Sequence, residues 1–269
     1  MHWYHWIFSL LLMTACYSNE EQKSPAGYDL SKPEKFTVPD ALLEISGIAY
    51  HNDLLYAVQD EEGKLFNLRP GDKKAASSKF GKKGDYEDIS IARGQVFILR
   101  SDGTLYSFPL DDARQNEITS TREWKDLVPK GEYEGLYADE STGLIYVLCK
   151  ECKQDKKSSS VSIFVLKLQS DGNITPSHTA ALNVQKNFKP SALAIHPLTK
   201  EWYILSSVNK LLVIADSQWK VKETYKLNPA IFRQPEGITF DPQNNLYISN
   251  EGDELSNGNV LKFIYNKTN

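Results

Sequence analysis

Three glutamates recur at one position of a repeated motif in which a short polar residue and a small residue lead an apolar strand. The five copies are Ser46-Gly47-Ile48-Ala49-Tyr50, Glu87-Asp88-Ile89-Ser90-Ile91, Glu134-Gly135-Leu136-Tyr137-Ala138, Ser191-Ala192-Leu193-Ala194-Ile195 and Glu236-Gly237-Ile238-Thr239-Phe240. If the repeat closes into a ring, Glu87, Glu134 and Glu236 face one another across it, with Ser46 and Ser191 as neutral oxygens between them. Like charges held together repel unless a cation, a proton or a basic side chain offsets them. One reading of this pattern is a hard-cation site, Ca²⁺ or Mg²⁺, built from carboxylate, hydroxyl and carbonyl oxygens. A second is that each glutamate accepts hydrogen bonds from backbone N–H groups of the next unit and orders the inner strands. The third is an acid/base catalytic pair.

The elements that must position these residues are strands. From residue 34 onward the apolar residues fall in runs of four to six, rich in Val, Ile, Leu, Tyr and Phe and separated by Gly, Asn and Asp, without helical periodicity. The lead residues lie 41, 47, 57 and 45 positions apart, the spacing of a four-stranded propeller blade. Second strands are expected at 54–58, 95–99, 144–148, 201–205 and 245–249, and third strands at 64–68, 104–108, 162–166, 210–214 and 259–263. A more polar outer strand follows in the first four units. The fifth runs out of chain, so Lys35 to Val38 is expected to supply its outer strand and close the ring, leaving no open sheet edge. The expected fold is all-β, a five-bladed β-propeller over residues 34–269, with six blades as the alternative. A β-sandwich would not repeat one lead motif five times.

In an antiparallel meander the turn after strand two and the entry to strand one share an end. Ser46, Asp60, Asp102, Glu151, Ser191 and Glu251 are therefore expected around the channel mouth with the three glutamates, and Lys83, Arg100, Lys150, Lys189 and Arg233 as possible counter-charges. His51, His178 and His196 fall outside that mouth, and no GxSxG nucleophile motif is present. Cys149 and Cys152 form a lone CxxC, for which a disulfide, free thiols and a redox or metal-binding pair all remain open. The tryptophans, Trp124, Trp202 and Trp219 among them, are expected to pack between blades.

The net charge of -4 lacks the basic excess that nucleic acid attracts, so no nucleic-acid partner is expected. With three cysteines and five histidines there is little material for a transition-metal site.

The N-terminus is read as a lipoprotein signal peptide over residues 1–15. An apolar run too short for a permanent membrane span ends in Leu12-Met13-Thr14-Ala15-Cys16, which resembles the lipobox of bacterial lipoproteins, in which the cysteine is lipidated. Polar residues 16–33 are expected to be a tether. Tyr17, where Asp would resemble an inner-membrane retention signal, favours outer-membrane anchoring on the periplasmic or surface face.

The motifs Asp85-Tyr86-Glu87-Asp88-Ile89, Tyr133-Glu134-Gly135-Leu136, Pro190-Ser191-Ala192-Leu193 and Gln234-Pro235-Glu236-Gly237-Ile238, with the segment Asn245 to Glu251, resemble the SdiA-regulated family from about residue 40 onward. That resemblance implies a secreted or membrane-anchored propeller, more distantly similar to phytase-like and esterase or lactonase propellers, some of which hold calcium in the channel. The expectation is a monomeric binding or scaffold module. It would be held on a membrane by its lipid and present an acidic, Ca²⁺-competent mouth to a protein or small-molecule ligand. The alternative is a cation-dependent phosphoesterase or esterase.

Overall fold

The computed structural model describes residues 23–156 and 158–267; the signal peptide and Cys16 lie outside the described residues. A short strand, β1 (Glu34–Thr37), precedes four consecutive antiparallel blades. The first comprises β2 (Ile45–His51), β3 (Leu54–Gln59), β4 (Lys64–Leu68) and β5 (Ala76–Lys79), and the second β6 (Tyr86–Ala92), β7 (Gln95–Arg100), β8 (Leu105–Pro109) and β9 (Arg122–Trp124). The third holds β10 (Gly131–Ala138), β11 (Leu144–Cys152), β12 (Ser160–Leu168) and β13 (Ile174–Asn183). The fourth is β14 (Ala192–Ile195), β15 (Trp202–Ser206), β16 (Leu211–Ala215) and β17 (Val221–Lys226). The fifth blade takes β18 (Pro235–Phe240), β19 (Leu246–Asn250) and β20 (Asn259–Phe263) from the end of the chain and β1 from its beginning. The ring closes through the pairs Glu34 with Lys262 and Thr37 with Asn259, one residue earlier than the sequence suggests. The fold is thus an all-β five-bladed propeller.

Blades stack face to face, so middle strands are buried on both sides. Trp202–Ser206, Leu211–Ala215 and Leu246–Asn250 are buried throughout, whereas the outer strand Val221–Lys226 is mostly exposed. This explains why the inner runs read as continuous apolar stretches and the outer ones as polar. The core is divided into five apolar clusters, one at each blade interface. Trp202 and Trp219 stack 4.2 Å apart between the third and fourth blades, consistent with a packing role.

On the face away from the acidic loops, two-residue turns connect first to second strands in the first two blades. Asn52 and Asp53, and likewise Arg93 and Gly94, all adopt positive φ, the conformation that matches hairpin twist.

Part of the segment expected to be a tether is packed onto this face. Pro25, Tyr28 and Leu30 are buried, and Tyr28 and Leu30 join the apolar cluster between the fourth and fifth blades. The Tyr28 hydroxyl donates to Asn244 O at 2.6 Å and lies 2.8 Å from His196 Nε2. His196 Nδ1 in turn accepts the Leu198 and Thr199 N–H groups. The stretch from Pro25 to Leu30 is therefore packed against the propeller, because Tyr28 and Leu30 fill a groove between two blades.

Candidate functional site

The repeated lead residues owe their direction to backbone bulges. Between β6 and β7 the pairing passes from Tyr86 with Arg100 to Asp88 with Leu99, leaving Glu87 unpaired. Glu134 is the extra residue between Tyr133 and Gly135 on β10, and Glu236 the extra one between Pro235 and Gly237 on β18. A further register shift falls between Ile45 and Ile48, at Ser46 and Gly47. A bulge re-aims one side chain out of the pleat, and here it does so at the inner-strand entrance of four blades.

Glu87, Glu134 and Glu236 lie within electrostatic reach of one another. Burial is the largest influence on each carboxyl, and neighbouring carboxylates add to it: Glu134 and Glu236 at Glu87, Glu236 at Glu134, and Glu251 at Glu236. Glu87 is pushed up to about 9, with Glu134, Asp85 and Glu236 all raising it, and it has no hydrogen-bond partner among the described residues. Glu134 is raised to about 8 by burial, which outweighs the bond from Lys150. Glu236 reaches about 7, held back by a hydrogen bond with Ser207 and by the charges of Lys150 and Lys210. The three carboxyls thus retain protons at a pH where isolated glutamates have lost them.

A second group of acids adjoins the ring. Asp60 is raised to about 7 by burial and by Glu44, Glu251 and Asp85. Its Oδ1 is buried with no hydrogen-bond partner. Glu251 is raised by burial and by Glu44 while it accepts a bond from the Gln234 amide at 2.9 Å. Glu44 and Asp85 were not singled out from the sequence, since neither occupies a repeat position. Their signal lay only in their placement just ahead of the first strands of two blades.

Other expected mouth residues turn elsewhere. Asp102 forms a two-point ion pair with Arg100, 2.7 Å at the shorter contact, which holds its carboxyl near 2. Glu151 pairs with Lys189 and is lowered accordingly. The Ser191 hydroxyl donates to Pro235 O at 2.8 Å, and that of Ser46 makes only a long contact of 3.4 Å with Glu44 O. Arg233 pairs with Asp253. Of the five basic residues considered, Lys150 is the one bonded to a ring glutamate; its ammonium contacts Glu134 and lies 3.0 Å from Glu132. Lys210, not anticipated, adds charge near Glu236.

The backbone contacts between blades are made by residues next to the glutamates or facing them across the blade interface. Asp88, 2% exposed, accepts the Ile89 N–H at 2.8 Å and, across the blade interface, the Leu136 N–H at 2.7 Å. Ser90 accepts from Ala138 N, Thr239 from Tyr50 N, and Ser249 donates to Ser46 O. With the inter-blade bonds assigned to these residues, the glutamates are free of that role.

No three carboxylates among the described residues bring oxygens within 4.8 Å of one another; the group of three that does is Cys149, Cys152 and Asp155. Two of its members are joined in a disulfide, so that group has no thiolate to offer. The ring and the adjoining Asp60, one of whose oxygens is buried without a donor, offer a hard cation suitable oxygen chemistry but not a pre-closed cage. Among the described residues, no histidine joins this mouth: His196 is buried beside Tyr28, while His51 and His178 lie on β2 and the outer strand β13.

The family model for SdiA-regulated proteins matches residues 25–254. The chain belongs to the SdiA-regulated family. No curated protein matches it. Among solved structures, it resembles the glutaminyl cyclase of Myxococcus xanthus with a TM-score of 0.59 and 9% identity, over 88% of this chain and 96% of that one. The calcium-binding protein regucalcin of Agrobacterium tumefaciens aligns with a TM-score of 0.51 and 10% identity, over 89% and 94% of the two chains. A streptogramin B lyase gives 0.50 at 11% identity, over 87% and 98%. Likeness at such identities establishes the shared propeller fold and leaves chemistry to the site itself.

Proposed function

We propose that this SdiA-regulated protein is an exported, lipid-anchored binding module whose acidic channel mouth takes up a cation in exchange for protons. The observation that carries this reading is the ring of three glutamates on bulged backbone, one buried and two half-buried, in which Glu134 and Glu236 raise the proton affinity of Glu87 and Glu236 raises that of Glu134. A bound cation would relieve that repulsion by replacing the protons. Ca²⁺ is the favoured ion because every available donor is an oxygen. Glu87, Glu134 and Glu236 would hold it, with Asp60 and Glu251 at the edge. Regucalcin, a similar propeller, is described as calcium-binding. A cationic group on a protein or small molecule would satisfy the same electrostatics.

Strand direction bears on how the module would be presented. The Tyr28 segment contacts His196 and Asn244, in turns on the face opposite the mouth. A lipid on Cys16, in the outer membrane as the sequence suggests, would then leave the acidic mouth turned from the bilayer toward soluble ligands.

The test is thermal unfolding with Ca²⁺, Mg²⁺ or EDTA, at about pH 6 and about pH 8.5. The melting temperature should rise with Ca²⁺, more at the higher pH, and the rise should vanish when all three glutamates are changed to Gln. A panel of phosphoesters, lactones and aryl esters should show no turnover. Turnover abolished by EDTA and by Glu134→Gln would replace this reading with a cation-dependent hydrolase.

A further inference from the structure

The one basic residue that bonds the glutamate ring sits inside the CxxC motif. Cys149, Lys150, Glu151 and Cys152 end β11, and the two cysteines form a disulfide with a Cα–Cα distance of 6.0 Å. Three residues of extended strand span about 10 Å, and residues i and i+3 point to opposite faces. The crosslink therefore cannot be accommodated by a regular strand; the chain must buckle by one residue. It does: Cys149 pairs with Tyr133 and Glu151 with Glu132, leaving Lys150 as the extra residue. On the facing strand, Glu134 is the extra residue of the next register shift. Two opposed bulges on adjacent strands thus put the Lys150 ammonium against Glu134, with Glu132 3.0 Å away on the other side.

The crosslink is shielded, with both cysteines 1% exposed. Beside it lies a cavity of about 240 Å³ bordered by Lys150, Glu151, Cys152, Asp155 and Phe188. A relaxed β11 could carry the lysine side chain into that space and away from the glutamates.

We propose that the Cys149–Cys152 disulfide is the positioning device of the mouth: by holding the β11 bulge it delivers the Lys150 ammonium to Glu132 and Glu134, and so sets the charge that an incoming cation meets. The proposal takes the mouth as the binding site, as argued above. Lys150 acts as a built-in competitor for that cation, and the crosslink keeps the competitor in place. The disulfide then has a role beyond stability, which distinguishes it from an ordinary crosslink in an exported domain.

The experiment is a carboxyl ¹³C NMR titration of the glutamates in the full propeller without added metal. It compares wild type, Lys150→Met, the double variant Cys149→Ser with Cys152→Ser, and all three changes combined. Lys150→Met should move the Glu134 midpoint upward, by about one pH unit or more for loss of a half-buried partner charge. The cysteine variant should move it in the same direction, and the combined variant no further than Lys150→Met alone. A purely structural disulfide would lower the melting temperature and leave the Glu134 midpoint where it is, which would overturn the proposal. So would an unchanged midpoint in Lys150→Met. If the serine pair unfolds, the same titration is made with Cys149→Ala and Cys152→Ala, whose apolar side chains suit the buried site. The readout needs no cation, so failure of Ca²⁺ to bind would count against the function proposed above and not against the positioning role.

Discussion

Replacing Glu87 by Gln should stabilise the protein, and only above a certain pH. The Glu87 carboxyl holds its proton to about 9 in the folded state against an ordinary value of 4.5. Between those two values the unfolded chain has released a proton that the folded chain keeps, so stability is lost as pH rises through this window and levels off above it. This is the reverse of a salt-bridged carboxylate, whose contribution disappears as pH falls. Near pH 7.5, three pH units above 4.5 at about 1.4 kcal/mol each set a ceiling of about 4 kcal/mol. Glu87 is only half-buried, and Glu134 and Glu236 adjust when it ionises, so a cost of about 1–2 kcal/mol is the reasonable expectation after screening. Glutamine keeps the shape and cannot ionise. Urea unfolding in EDTA should therefore show Glu87→Gln more stable than wild type by about that amount near pH 7.5 and equal to it near pH 4.5. A variant that is destabilised near pH 7.5, or whose effect is the same at both pH values, would refute the reasoning.

Other expectations follow from the packing around the ring. Asp88→Ala leaves the Ile89 and Leu136 N–H groups without their acceptor and should cost about 2–4 kcal/mol in chemical denaturation. Gly47→Ala would bring a Cβ within 2.5 Å of the Asp88 backbone; a clash with backbone in a closed ring should cost at least about 2 kcal/mol, read as a fall in melting temperature. Tyr28→Phe removes the hydroxyl bonded to Asn244 O and His196, and a loss of about 1 kcal/mol is expected, with earlier proteolysis near residue 25 as a second readout. Cys16→Ser should move the protein from the membrane fraction to the soluble one.

Much of the architecture was legible because a propeller writes itself as a repeat. The lead motif and the strand runs recur with enough regularity that the outer strand missing from the fifth unit points to the N-terminal segment, which was misplaced by only one residue. Isolated side chains were harder to read. Pro25, Tyr28 and Leu30 dock as single apolar residues in a polar stretch, a pattern without the periodicity that marks an element. Asp102 and Glu151 stand beside the mouth in sequence, but side-chain direction depends on the nearest charge: Arg100 two residues away claims the first, and Lys189 from the next blade the second. Asp88 was hidden for the opposite reason. It occupies the column where three other copies of the motif carry Gly, so it read as a small-residue variant, whereas it is a buried acceptor tying two blades together. The bulges were visible only as a polar residue ahead of an apolar run; their meaning needed the register.

The ring of Glu87, Glu134 and Glu236 is expected to exchange protons for a cation. Isothermal titration of Ca²⁺ into the protein, near pH 7.5 and in two buffers of different ionisation enthalpy, tests it most directly. Saturable binding is predicted, with an apparent enthalpy that differs between the buffers because Glu87 and Glu134, raised to about 9 and about 8, release protons as the ion enters. Both signals should be lost in the triple Gln variant. Absence of binding, or binding that releases no protons and survives the triple substitution, would contradict the account.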